Sequence, residues 1–101
     1  MSQYHKVATA QGIQPGASVI VEIEGQDIAI FRLNDQYYAI QNHCPHRQGP
    51  LGEGLVAGNT VTCPWHGWQF DVTTGKSTTG SPVVLKTYPV KVENNEVKVF
   101  V

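Results

Sequence analysis

Residues 19–41 run Val19-Ile20-Val21-Glu22-Ile23-Glu24-Gly25-Gln26-Asp27-Ile28-Ala29-Ile30-Phe31-Arg32-Leu33-Asn34-Asp35-Gln36-Tyr37-Tyr38-Ala39-Ile40-Gln41, and no part of them keeps a helical period. Val19, Val21 and Ile23 alternate with Ile20, Glu22 and Glu24, the two-residue period of a half-buried strand. Gly25-Gln26 supplies a turn into Asp27–Leu33, where Ala29, Phe31 and Leu33 share a face. Asn34-Asp35 supplies the next turn, into Gln36–Gln41. Three such runs joined by short polar turns read as an antiparallel meander.

The C-terminal part repeats this pattern. Thr87–Glu93 alternates around Tyr88, Val90 and Val92; Asn94-Asn95 turns the chain; Val97, Val99 and Val101 then face inward. Residues 43–82, between the two regions, are rich in Gly, Pro and Thr and poor in alternation, the composition of loops carried on a β-scaffold. The expected fold class is all-β, antiparallel sheets forming a sandwich or open barrel around one core. With 101 residues, the chain has room for one domain, taken as residues 1–101.

A net charge of -1, a pI near 6.4 and seven scattered Lys/Arg exclude the basic stripe of a nucleic-acid binder and a polybasic membrane anchor. The N-terminus lacks the apolar run of a signal peptide, and no stretch approaches a transmembrane helix. A cytoplasmic, reducing location is therefore expected, where paired cysteines bind metal more often than they form a disulfide. A structural Cys44–Cys63 disulfide is the alternative.

Both cysteines lie in the loop region, in Asn42-His43-Cys44-Pro45-His46-Arg47 and Cys63-Pro64-Trp65-His66-Gly67-Trp68-Gln69-Phe70-Asp71. The pattern is Cys-x-His, a 16-residue gap, then Cys-x-x-His. In a [2Fe–2S] core the bridging sulfides fill two positions on each tetrahedral iron, so the protein supplies four ligands. Cys44, His46, Cys63 and His66 meet that number. Pro45, Pro64 and Gly67 let the backbone bend there without a regular hydrogen-bond ladder. The same donors also suit structural zinc. Classical zinc fingers pair Cys with Cys and His with His, whereas each loop here carries one of each. A Cys/His nucleophilic dyad leaves the duplication unexplained, and no phosphate loop or dinucleotide fingerprint is present.

The stretches Cys44-Pro45-His46-Arg47-Gln48-Gly49-Pro50-Leu51 and Cys63–Asp71 resemble the two cluster loops of Rieske-type ferredoxins. Thr74-Gly75-Lys76, Gly80-Ser81-Pro82 and Leu85-Lys86-Thr87-Tyr88-Pro89-Val90 resemble later segments of that family, so the likeness spans nearly the whole chain. It implies three small antiparallel sheets with both ligand loops at one tip, and a proline-containing loop, Gly80–Pro82, covering one [2Fe–2S] cluster. It also implies that Cys44 and Cys63 bind the buried iron, and His46 and His66 the iron nearer solvent.

High-potential Rieske proteins carry an extra cysteine on each loop, joined as a disulfide. The corresponding positions here hold Gln48/Gly49 and Trp65. Those proteins also place Ser and Tyr where this chain has Trp68 and Phe70, which offer no hydroxyl to a cluster sulfur or thiolate. Loss of those hydrogen bonds lowers the potential, while two thiolates instead of four raise it above all-cysteine ferredoxins. The expected value is on the order of -150 mV. Each solvent-side histidine carries a removable proton, so the potential is expected to fall at alkaline pH.

The resemblance implies a non-enzymatic one-electron carrier. It would link an NAD(P)H-dependent flavoprotein reductase to a terminal ring-hydroxylating oxygenase, as a monomer docking transiently. Alternatives are a Rieske-like small subunit of a larger reductase, such as an assimilatory nitrite reductase, and a zinc-stabilised interaction module. Among the remaining side chains, His43 is expected to support the site or sit at the surface, and His5 to be solvated in a polar tail. Trp68 is read as a shield for the cluster and Trp65 as part of a docking face, each with the other role open. Pro50, Leu51 and Pro82 are expected to form an apolar rim around the histidines.

Overall fold

The meander of residues 19–41 forms as β2 (Ser18–Ile23), β3 (Gln26–Leu33) and β4 (Gln36–Gln41) in a computed structural model describing residues 3–44, 49–65, 67–80 and 82–101. Strand order is β2-β3-β4-β8, with β8 (Thr87–Tyr88) on the outer edge of β4. Ile23 pairs with Gln26, so the first turn is Glu24-Gly25, one residue earlier than expected. Both turn residues have positive φ, 50° and 80°, the twist that a two-residue hairpin requires.

A central β3 has both faces covered. Ile28, Ala29, Ile30 and Phe31 are all fully buried, whereas Leu33, at the strand end, is only half-buried. Ala29 and Phe31 enter one apolar core, Ile28 and Ile30 another. The architecture is thus three antiparallel sheets around two cores, not a sandwich or barrel around one.

The second sheet has the order β1 (Tyr4–Thr9), β10 (Glu96–Phe100), β9 (Val90–Glu93). The N-terminal segment is therefore a strand, and His5 is no solvated tail residue. His5 pairs with Val99, and its Nε2 is buried 3.5 Å from Glu24 Oε2. Val97 and Val99 are buried as expected, while Val101 is half-buried. The run Thr87–Glu93 does not stay in one sheet. Pro89 lacks an N–H for the ladder, and the chain passes there from β8 to β9. Val92 is left exposed.

The third sheet, β5 (Leu55–Ala57), β6 (Thr60–Thr62) and β7 (Gln69–Asp71), lies inside the region read as loops. Each strand has three residues, too few for alternation to register in the sequence.

Candidate metal centre

Asn42 sets the base of the first cysteine loop, at the end of β4. Its N–H donates to Asp27 O (3.0 Å), its carbonyl accepts from Leu51 N–H (2.7 Å), and its Oδ1 accepts from Gly52 N–H (2.8 Å). These bonds tie the two ends of the loop together, and they satisfy a polar side chain that is 4% exposed. Within that neck, His43 and Pro50 form a bridge, and Cys44 N–H donates to Gly49 O at 2.9 Å.

The second loop joins β6 to β7 and closes in the same way. Cys63 N–H donates to Trp68 O at 2.7 Å, and Gly67 N–H donates to Cys63 O at 3.1 Å. Gly67 has φ 76°, a conformation that glycine adopts without a Cβ clash. Each cysteine thus bonds the carbonyl five residues ahead, and each predicted histidine ligand lies inside the span so closed.

The two loops share one floor. Cys44 and Cys63 are 0% and 1% exposed and belong to one core with Phe31, Leu51, Phe70 and Leu85 among others. A methyl built on Gly49 would stand 2.9 Å from Cys63 Sγ and 3.1 Å from Trp65 Cγ, so the loops are in direct contact. A third segment returns alongside. Gly75 N–H donates to Asp71 O, and Leu85 N–H to Gly75 O, both at 2.7 Å. Gln41 anchors that segment to β4: its N–H donates to Lys86 O (2.9 Å), while its Oε1 accepts from Lys86 N–H (2.7 Å).

The structure therefore brings Cys44 and Cys63 to one buried site. His46 and His66 lie outside the described residues, as do Pro45, Arg47, Gln48 and Ser81. Among the described residues no group of three or more His, Cys, Asp or Glu side chains gathers to hold a metal. His43 faces Asp27, with Nε2 3.0 Å from Oδ2, in keeping with a supporting or surface role. Trp68 is half-buried on the core that holds both cysteines, 6.4 Å from Phe70 between ring centres. Trp65 is 63% exposed. Leu51 is fully buried and is no rim residue; Pro82 is exposed and Pro50 half-buried.

Asn42 and Gln41 were not singled out from the sequence for these positioning roles. A polar residue at a strand end before a Cys-x-His motif gives only a weak signal, because the partners, Gly52 for Asn42 and Lys86 for Gln41, are fixed by the fold.

Two buried thiols on converging, self-closed loops suit a thiolate-bound metal group, since a buried thiolate needs a cation to compensate its charge. The family comparison names that group. Residues 3–89 match the Rieske [2Fe-2S] domain, and the chain belongs to that family. It is 37% identical to the ferredoxin component of the naphthalene 1,2-dioxygenase/salicylate 5-hydroxylase systems of a Ralstonia species, over 89% of this chain and 88% of the relative.

In structure it matches a chain of the complex of reduced oxygenase and oxidized ferredoxin in carbazole 1,9a-dioxygenase. That match has TM-score 0.89 and 36% identity, covering 95% of this chain and 91% of the other. A putative NADH-dependent nitrite reductase small subunit from Mycobacterium tuberculosis shares the fold, with TM-score 0.91 and 22% identity, covering 100% of this chain and 96% of the other. The chain is of the ferredoxin type, an electron-transport component and not itself a catalyst. No described helix is long and apolar enough to cross a membrane.

Proposed function

We propose that residues 1–101 form one Rieske domain that carries single electrons from an NAD(P)H-dependent flavoprotein reductase to a terminal ring-hydroxylating oxygenase. In this reading Cys44, His46, Cys63 and His66 hold one Rieske-type [2Fe–2S] cluster, which when bound accepts and releases one electron. The reading rests on one observation above all. Two cysteine loops meet at Gly49 and Cys63 in a chain that spans 88% of a ferredoxin component's own length.

The residues around the site have separable tasks. Cys44 and Cys63 supply two thiolates from inside the apolar core, and His46 and His66 the two imidazoles. Asn42 and Gln41 fix the approach of the first loop, so that the ligands need not reorganise when the charge changes. Phe31, Leu51, Phe70 and Leu85 exclude water from the cysteine side. The protein acts as a freely diffusing cytoplasmic monomer whose contacts with its partners are brief, as redox encounters of small area are.

Mixing the anaerobically reduced protein with the oxygenase components of naphthalene and carbazole dioxygenases in a stopped-flow spectrometer tests the reading. Reoxidation of the protein by one electron on mixing is expected. Absence of transfer to both, together with stable co-purification in a larger reductase, would replace the carrier by a bound subunit.

A further inference from the structure

Gly49 is buried and its φ lies outside the left-handed region, so it is glycine for space and not for conformation. The space is taken by the second loop. A Cβ there would come 2.9 Å from Cys63 Sγ and 3.1 and 3.2 Å from Cγ and Cδ2 of Trp65. Trp65 is 63% exposed, yet the inner edge of its indole packs on this bare backbone. The ring thus has a fixed inner edge and a free outer one. We propose that Gly49 and Trp65 form a non-covalent clasp that holds the first cysteine loop down on the Cys63 sulfur. This inference rests on the Rieske reading and assigns both residues a positioning role.

The physical argument is one of packing. Loops without a cross-link stay together through contact, and a side chain of one can lie against the backbone of the other only where that backbone is bare. The indole supplies a large apolar surface to the contact, and the glycine lets it approach. Together they deny water access to the Cys63 sulfur from this side. Water reaching a cluster thiolate donates hydrogen bonds that favour the reduced, more negative state, so opening the clasp raises the potential. It also gives solvent and chelators a path to the metal.

The test compares the holoprotein with Gly49→Ala, Trp65→Ala, Trp65→Phe and Leu55→Ala. Leu55 is 81% exposed and lines the same surface groove as Trp65 and Cys63, so its truncation reports on the groove without the clasp. The readouts are the midpoint potential and the rate of metal release to a chelator. Gly49→Ala and Trp65→Ala should each raise the potential and speed release severalfold, and the double variant should go little beyond the larger single effect. Trp65→Phe, which keeps a ring at the Gly49 contact, should restore the parent values, and Leu55→Ala should leave them unchanged. If Gly49→Ala fails to fold, the two Trp65 variants decide. Parent-like potential and release in Trp65→Ala, or an equal shift in Leu55→Ala, would overturn the clasp. Release is read whether the metal is iron or zinc. Electron paramagnetic resonance of the parent separately decides the Rieske reading.

Discussion

Phe70 has 0% exposure and shares a core with Cys44 and Cys63, so the cysteine side of the site holds a ring with no proton to donate. Phe70→Tyr should raise the midpoint potential if the new hydroxyl reaches a sulfur. A net hydrogen bond of about 1 kcal/mol corresponds to roughly 40 mV for one electron. Protein-film voltammetry measures this directly, and an unchanged or lower potential would count against the apolar-environment account. Asn42 offers a stability counterpart. Its Oδ1 is the acceptor for Gly52 N–H, so Asn42→Ala should cost about 1–3 kcal/mol in chemical denaturation. Cys44 and Cys63 were legible as site candidates at this scale because Cys and His at short spacing have few other uses, and the structure places these two cysteines in one core. Asn42 was not, because its importance lies in a donor ten residues away.

Among the elements, the long strands were readable and the short ones were not. β2, β3 and β4 have six or more residues each, enough for a period of two to show beside clear turn residues. β5, β6 and β7 have three each, set by pairing of β5 with β6 across the Gly58-Asn59 turn and of β6 with β7 across the second cysteine loop. β1 escaped notice because its alternation is of half-exposed residues that make sense only beside β10. The third segment depends on Gly75, with φ 81° and a Cβ position 2.4 Å from Leu85 O. Gly75→Ala combines a strained φ with a backbone collision, so a loss of about 2–4 kcal/mol is expected in thermal or chemical unfolding. A loss below 1 kcal/mol would mean that residues 75–85 can move away without disturbing the cores.

For the whole molecule, Tyr88 and Glu93, neither of them in the core that holds the two cysteines, have shifted pKa values. Burial raises the Tyr88 pKa, and its hydroxyl donates to Gln26 Oε1 at 2.8 Å. With the folded pKa above the unfolded one, the unfolded chain loses its proton first. Stability is thus retained below the ordinary tyrosine range and falls as pH rises through it. Tyr88→Phe should flatten that alkaline limb of a stability–pH curve. Glu93 behaves oppositely. Lys98 and Lys91 lower its pKa, so its contribution is present above the ordinary carboxylate range and fades as pH falls through the folded value. Exposed at the surface, it should contribute little, and Glu93→Gln should change only the acid limb.

The same scale explains why the sequence pointed to one core and the chain has two. Alternation marks buried faces but cannot say that a central strand such as β3 faces a different core on each side. One core holds Cys44 and Cys63, while the other, built on Ile28, Ile30, Val97 and Val99, serves the scaffold.

Low-temperature electron paramagnetic resonance of the anaerobically reduced protein tests the central claim most directly. A rhombic signal with the low average g of a mixed histidine/cysteine [2Fe–2S] cluster, lost in Cys44→Ser and in Cys63→Ser, is the predicted result. A colourless, silent protein containing zinc would contradict it and leave a structural metal domain in place of an electron carrier.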